Sequence, residues 1–563
     1  MSLKVVIIGG VATGPKTAAR LRRLNPEALI TVIEKQDLLS YAGCGMPYYI
    51  EDVIKEWNQL LGGNIIRDTA YFKQNKGFTV LDQTEALKIN RKTRTVTIKN
   101  LRNGDVKELP YDKLVLATGA TPFVPKMEGA DLQGVHRLYN PHHAKAIKNA
   151  VDVGARKVVV VGGGLIGVES CGAFVTRGCD VTIMEMMPTL APGLLDMEMG
   201  LLLENYLLEQ GVTVVKGSPV ARMIDDGYGK VKAVETADGR VAEADLVVLA
   251  IGVHPNTSLA RDAGLEMGST RAISVNEYMQ TSDPDIYAGG DCVESTHLLT
   301  GEKVYTPLGS TANKHGRVIA DNIMDMGTRF DGVNTTAVFK VLDWNCGVTG
   351  VTERKARELG YDIVTTIAPR NDFSGYIPGN KKTIIKLIAD KESCKVLGCQ
   401  VVGRGEGVKR IDVIVTAMKF GSNLKAIADL DLGYAPAYST AIDAIAHAAN
   451  VLRNKIQGYA HGVSPLELKA KLDSDDDFVL LDVRRKPEYD AETFNDIRCL
   501  HIPYSELRER VHEIPRGKEI ITFCVIGVRA YIAERTLRGL GFEDVKFLDG
   551  CLTSWPFPKY LTG

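Results

Sequence analysis

Short apolar runs recur along the chain, each about the length of one buried strand. Lys4-Val5-Val6-Ile7-Ile8 is the first and Leu29-Ile30-Thr31-Val32-Ile33 the second; Val158–Val161, Val181-Thr182-Ile183-Met184 and Leu246–Ile251 follow. Continuous apolar runs of this size, without polar alternation, are what parallel strands covered on both faces look like. Between the first two, Ala18-Ala19-Arg20-Leu21-Arg22-Arg23-Leu24 reads as a helix, and another helix is expected between Val161 and Val181. The order is therefore strand, helix, strand, met twice, which predicts an α/β architecture. Further on, His447–Arg453 reads as the last helix of a domain and a polar linker runs to about 465. Two more buried strands follow, Phe478-Val479-Leu480-Leu481-Asp482 and Glu519-Ile520-Ile521-Thr522-Phe523.

Glycine follows the first strand of each strand-helix-strand unit. Gly9-Gly10-Val11-Ala12-Thr13-Gly14 has valine at the middle position of G-x-G-x-x-G, whereas Gly162-Gly163-Gly164-Leu165-Ile166-Gly167 has all three glycines. Such turns let the backbone pass close beneath a pyrophosphate, whose charge the following helix N-terminus stabilises. A ligand-free glycine turn would show the same letters, more readily at the first site than at the second. Gly9, Gly10, Gly14, Glu34 and Lys35 are the candidate cofactor residues of the first unit, with Glu34 placed to accept from a ribose. Gly162, Gly164, Ile166, Gly167, Glu185 and Gly252 are those of the second. Acidic Glu185 suits a free 2′-hydroxyl and repels a 2′-phosphate, so NADH is expected ahead of NADPH. Two further strand-to-loop crossings, Thr118-Gly119 and Gly289-Gly290-Asp291, complete the candidate set; Asp291 could meet the ribityl or phosphate end of a flavin.

With 563 residues, three or four domains are expected. A net charge of -1 and the lack of long like-charge blocks give no reason to expect nucleic acid or an anionic membrane as partner. The apolar runs are too short to span a bilayer and the start has no signal-peptide pattern, so a cytoplasmic location is expected. The ten cysteines form no C-x-x-C pair, so no metal site is expected. Cys171, Cys179, Cys346, Cys499 and Cys551 read as packing residues.

Cys44 differs. It lies in Ser40-Tyr41-Ala42-Gly43-Cys44-Gly45-Met46-Pro47-Tyr48-Tyr49, downstream of the first glycine turn and with no second cysteine nearby. A redox route to a disulfide through a single thiol must borrow its second sulfur from outside the chain. The thiolate is the nucleophile, so its pKa is expected to be depressed, by oxidised flavin and nearby backbone donors.

Two nested dinucleotide units with Ala117-Thr118-Gly119-Ala120 and Gly289-Gly290-Asp291 resemble the FAD-dependent pyridine nucleotide-disulfide oxidoreductases over about residues 1–450. The resemblance implies an FAD domain at 1–150 and 271–330, an NAD(P)H domain at 151–270 and a dimerisation domain at 331–455, hence a homodimer. The Cys44 segment resembles the single-cysteine branch, which comprises coenzyme A-disulfide reductases, persulfide reductases and NADH oxidases. That likeness implies small sulfur compounds as substrates and a mixed disulfide between Cys44 and coenzyme A. It also implies that Tyr376 and Tyr434 reach the partner subunit's cysteine and help protonate the leaving thiolate, with a phenol pKa tuned toward the working pH. Ser40, Arg20, Arg23 and Lys314 are the candidates for binding coenzyme A, with Arg22 and Arg317 as further cations for its phosphates. An NADH oxidase cycling Cys44 through a sulfenic acid and a non-catalytic flavin redox sensor remain alternatives.

The C-terminal part carries its own signature. Cys524-Val525-Ile526-Gly527-Val528-Arg529 follows a strand and precedes a helix, an arrangement that aims backbone N–H groups at a thiolate. It resembles the C-x-x-G-x-R loop of rhodanese domains over about 466–563, which implies a catalytic Cys524 assisted by Arg529 and able to carry sulfane sulfur. The stretch Glu492–Ile497 departs from the usual turn of that family. Together these resemblances imply NADH-driven, FAD-dependent reduction of coenzyme A disulfide, coenzyme A persulfide or polysulfide at Cys44, with Cys524 handling sulfane sulfur.

Overall fold

The computed structural model describes residues 2–63 and 65–562; Met1, Asn64 and Gly563 lie outside them. The chain divides into two compact units, residues 1–184 with 218–333 and residues 185–217 with 334–563.

In the first unit the apolar runs form two sheets. The first has strand order Ile286–Ala288, Lys113–Leu116, Lys4–Ile8, Leu29–Ile33, Thr79–Leu81, all parallel. Val5, Ile7, Val32, Leu114 and Val115 have no solvent-accessible surface, which is why these strands read as unbroken apolar runs. The expected first helix spans Thr13–Leu24 and buries Ala18 and Leu21 against the core. The second sheet sets Asp180–Glu185, Lys157–Val161, Leu246–Leu249 and Val135–Arg137 side by side, again parallel. Its helix, Leu165–Thr176, is apolar around most of its circumference and buries Val168, Cys171 and Phe174. The nesting is visible in the connectivity: all strands of the second sheet come between Lys113–Leu116 and Ile286–Ala288 of the first.

The second unit contains an antiparallel sheet ordered Ala337–Val341, Trp344–Gly350, Val396–Arg404, Lys382–Asp390, Ile363–Asn371. Helices Arg410–Lys419 and Ala444–Ile456 supply Ile411, Ile414, Ala448 and Leu452 to its core. Lys386, on the fourth of these strands, is 1% exposed, and its ammonium lies 2.5 Å from Glu198, 2.7 Å from Glu353 and 3.1 Å from Asp196. A buried charge is tolerated only with such partners.

A second sheet of this unit is parallel, in the order Gly462–Val463, Val545–Leu548, Glu519–Phe523, Phe478–Asp482, Cys499–His501. Its first strand falls within the stretch read from sequence as polar linker. Ala460 and Val463 are buried there, and Val463 pairs with Leu548. The joint is tied by Lys455, whose ammonium donates to the carbonyl of Thr365 at 2.8 Å and pairs with the buried carboxylate of Asp549. The irregular stretch after Glu492 is well supported. Phe494 is buried edge-on to Phe523 and Trp555, the Thr493 hydroxyl donates to Asp482 at 3.1 Å, and Arg484 donates to the carbonyl of Glu492 at 2.5 Å. Among the described residues no helix is long and apolar enough to cross a membrane.

Candidate active sites around Cys44 and Cys524

The glycine turns show two different reasons for glycine. Gly9 has φ +118°, and a Cβ there would fall 2.0 Å from the carbonyl oxygen of Ala117. The chain itself therefore forbids a side chain, since one strand end crosses another. Gly164 is the opposite case: a Cβ would meet no heavy atom within 4 Å. It opens helix Leu165–Thr176, whose first turn holds no acidic residue. That open, positively polarised end fits a pyrophosphate.

Around the first turn, Glu34 is buried and accepts from the backbone N–H groups of Gly10 at 2.7 Å and Gln36 at 2.8 Å. Burial raises its pKa against those donors. The Asp291 carboxyl is pushed up to about 6 by burial alone. Among the described residues no donor faces that carboxylate, so it fits a ligand rich in hydroxyls. Thr118 and Gly119 are fixed by Asn256: the Thr118 hydroxyl donates to the Asn256 carbonyl at 2.7 Å, and the Asn256 amide donates back at 2.8 Å. Gly252 is open like Gly164, and Ile166 is exposed on the first turn of its helix. Glu185 ends strand Asp180–Glu185 and accepts from the N–H of Met187 at 2.8 Å. Lys35 is engaged elsewhere, 2.7 Å from Glu85.

Cys44 is a free, exposed thiol on the short turn Gly43–Gly45. The turn is anchored by Ser40, which holds φ +49° and donates its N–H to the carbonyl of Gly10 at 2.9 Å. Of the two expected sources of a depressed thiol, oxidised flavin and nearby backbone donors, the chain itself supplies the second, and it is outweighed. Partial burial pushes the Cys44 pKa up, and the carboxylates of Glu169 and Asp291 push it further the same way. A group that stabilises the Cys44 thiolate must come from outside the chain.

The expected coenzyme A cations do not form one cluster. Arg20 is committed to the buried carboxylate of Asp321 at 2.7 Å, and Arg317 lies 4.0 Å from the same group. Arg22 donates to the carbonyl of Pro26. Arg23 and Lys314 remain exposed. Arg67, which no sequence signal marked, donates to the Ser40 hydroxyl at 3.3 Å. Tyr376 and Tyr434 belong to the second unit, where both are exposed. Tyr376 is the largest influence on Tyr434 and pushes its pKa up, away from neutrality rather than toward it.

The site at Cys524 is more fully built. Strand Glu519–Phe523 delivers the thiol, and Gly527, at φ +95°, turns the chain into helix Val528–Gly539. Cys551 is the largest influence holding the Cys524 thiol down at about 6, and the N–H groups of Ala530, Gly527 and Ile526 act with it against burial. The Gly527 N–H lies 3.2 Å from the Cys524 sulfur. Cys551 was expected to be a packing residue. Its sulfur accepts the Cys524 N–H at 3.2 Å, and its one proton can turn to the Leu548 carbonyl at 3.2 Å or to the Cys524 sulfur. It sits at φ +48°, ψ -151°, a backbone region that costs about 1–3 kcal/mol for an L residue. Arg529 forms a two-pronged pair with Glu488 at 2.7 and 2.8 Å, which draws the Glu488 carboxyl down to about 2.

Two nested nucleotide-binding domains and an exposed thiol on the turn that follows the first of them mark a nucleotide-dependent oxidoreductase of the disulfide-reducing type. The chain belongs to the pyridine nucleotide-disulphide oxidoreductase family, whose model matches residues 3–316; the family's dimerisation domain matches 336–446 and the rhodanese-like domain 464–556. It is 36% identical over 455 residues to an NADH oxidase of Methanocaldococcus jannaschii, covering 81% of this chain and 99% of that one. It is 35% identical over 454 residues to the NAD(P)H coenzyme A polysulfide/persulfide reductase of Pyrococcus horikoshii, covering 80% and 99%. The solved structure of an NAD-dependent persulfide reductase from A. fulgidus aligns with a TM-score of 0.93 at 45% identity, over 98% of this chain and all of that one.

Proposed function

We propose that the protein is an FAD-dependent NADH oxidoreductase that reduces coenzyme A disulfide, coenzyme A persulfide or polysulfide through Cys44, and that its rhodanese-like domain handles sulfane sulfur at Cys524. The observation that carries this reading is the pairing of two free thiols of opposite character: an exposed Cys44 without a neighbouring cysteine, and a buried Cys524 held as thiolate. A lone thiol can pass electrons to a disulfide only by forming a mixed disulfide with its substrate. Bound FAD would supply the two-electron chemistry that links NADH to the Cys44 mixed disulfide. Gly9, Gly10, Gly14, Glu34, Thr118, Gly119 and Asp291 would hold it; Gly162, Gly164, Gly167, Ile166, Gly252 and Glu185 would serve the nicotinamide nucleotide, with Glu185 favouring NADH. Ser40 and the cations Arg23, Lys314 and Arg67 meet coenzyme A. Arg20, already paired with Asp321, orients the helix rather than binding phosphate. In a homodimer the partner subunit's Tyr376 and Tyr434 donate a proton to the departing coenzyme A thiolate.

The test is NADH consumption against coenzyme A disulfide, coenzyme A persulfide, polysulfide and oxygen in parallel, with C44S and C524S beside the parent. C44S keeps NADH bleaching of the flavin and loses turnover with every sulfur substrate; turnover surviving in C44S sinks the mechanism. C524S keeps coenzyme A disulfide reduction and loses transfer from sulfane donors. Oxygen as the fastest acceptor, in line with the name of the Methanocaldococcus relative, would establish the oxidase reading instead.

A further inference from the structure

Arg370 lies on strand Ile363–Asn371 of the dimerisation domain and is mostly buried, yet has no carboxylate partner among the described residues. One of its terminal nitrogens donates to the carbonyl of Pro369 at 3.0 Å; the other lies 3.0 Å from Nδ1 of His447 and also contacts Nε2. His447 cannot neutralise it. Burial, with the Arg370 charge beside it, drives the His447 pKa down to about 3, so the imidazole is neutral. Lys382, the other cation acting on this group, adds positive charge. The nearest carboxylate in sequence, Asp372, is spent on the backbone N–H groups of Phe373 and Lys381. A mostly buried guanidinium without a carboxylate partner is costly, and an anion that reaches it relieves that cost.

The same strand runs along the Cys524 site. A Cβ on Gly550 would fall 3.0 Å from Cγ2 of Ile367, and Thr365 is tied through Lys455 to Asp549. Two residues beyond Gly550, Leu552 donates its N–H to the carbonyl of Cys524 at 3.2 Å. Burial lowers the Arg370 pKa to about 10, and the one negative group opposing that fall is the Cys524 thiolate.

We propose that Arg370, with His447 and Lys382 behind it, forms an anion subsite for the donor that loads Cys524, so that the dimerisation domain supplies part of the sulfurtransferase site. The proposal rests on the reading of Cys524 as the acceptor of sulfane sulfur. In the loading step the Cys524 thiolate attacks the outer sulfur of the donor. A new sulfur–sulfur bond forms, the donor's own sulfur–sulfur bond breaks, and the remainder leaves with the electron pair. With thiosulfate the products are the Cys524 persulfide anion and sulfite; with a thiol persulfide they are the Cys524 persulfide anion and the thiolate. No net oxidation occurs and no proton is needed. Two anions meet in this step, and a fixed guanidinium lowers their repulsion and steadies the departing charge. The shared chemistry is an anionic group borne next to the transferable sulfur. It comes either from a small inorganic thio-oxyanion or from a phosphorylated thiol such as coenzyme A.

The test uses the full-length holoenzyme and the variants R370Q, R370K and C524S. Donors are thiosulfate, coenzyme A persulfide, pantetheine persulfide and a neutral dialkyl trisulfide, whose central sulfur the Cys524 thiolate attacks to give a mixed trisulfide and an alkanethiolate, with cyanide as acceptor. R370Q raises KM for the anionic donors and lowers their kcat/KM on the order of tenfold to a hundredfold, the worth of one hydrogen bond to a charged group. R370K recovers part of it. The neutral trisulfide and the NADH-linked reduction of coenzyme A disulfide stay unchanged, and the latter verifies the fold. A greater loss with coenzyme A persulfide than with pantetheine persulfide assigns the subsite to phosphate; equal losses assign it to the sulfur anion. Equal loss with the neutral trisulfide, or no loss with any anionic donor, overturns the proposal. Transfer persisting in C524S overturns instead the reading beneath it.

Discussion

The acidity of Cys524 is open to direct measurement. An ordinary thiol titrates near 8.5, whereas the Cys524 cradle holds this one at about 6. The gap is about two and a half pH units, worth ~3.4 kcal/mol of preference for the thiolate at 1.36 kcal/mol per unit. The first contributor is the Cys551 thiol, so the perturbation of choice is C551A. The assay is the pH profile of iodoacetamide alkylation at the Cys524 peptide, followed by mass spectrometry. The parent rate reaches half its plateau near pH 6, so that at pH 7.5 the site is almost wholly thiolate; in C551A the midpoint moves up toward 8.5. The sign carries over to stability. The folded pKa is depressed, so the contribution is complete above the unfolded value near 8.5 and drains away as pH falls to about 6. In C551A that slope between pH 6 and 8.5 flattens. A parent midpoint near 8.5, or an unmoved midpoint in C551A, refutes the cradle as described.

Two further predictions follow from the same reasoning. In protein stripped of FAD, Cys44 is alkylated with a midpoint above that of an ordinary thiol, because burial, Glu169 and Asp291 all push its pKa up; restoring FAD lowers the midpoint, and an unchanged profile shows that the flavin is not what stabilises the thiolate. K386M strands the carboxylates of Glu198, Glu353 and Asp196 and costs about 3–5 kcal/mol in chemical denaturation; a loss below 1 kcal/mol shows that water relieves them.

Most of the architecture was legible because it is written locally. A strand buried on both faces must be apolar throughout, so Val158–Val161 could be read without knowing its neighbours. Gly14 was legible for a steric reason that needs only a few residues of context: a Cβ there would strike the carbonyl of Gly9. What the sequence concealed depends on residues far apart in the chain. Arg20 read as a phosphate ligand, and its ion pair with Asp321, three hundred residues on, leaves no trace in the local sequence. Cys551 looked like core packing because nothing near it in sequence reveals that its sulfur lies against the backbone of Cys524. Arg370 carried no motif at all; that it lacks a carboxylate partner among the described residues is something a one-dimensional string cannot show. The tyrosine pair was read from a resemblance, but that Tyr376 raises the pKa of Tyr434 and so weakens it as an acid required their contact.

The return of Ile286–Ala288 to the edge of Lys113–Leu116 has a consequence for synthesis on the ribosome. The N-terminal sheet cannot be completed until the strand that closes it has emerged. From residue 116 to 286 is about 170 residues, or roughly ten to thirty-five seconds at ordinary elongation rates. Through that interval Leu114, Val115 and Leu116, which end with no accessible surface, wait on an open edge. The strands of the second sheet are all available by residue 249, so it can fold first and hold the two halves of its host close enough to join.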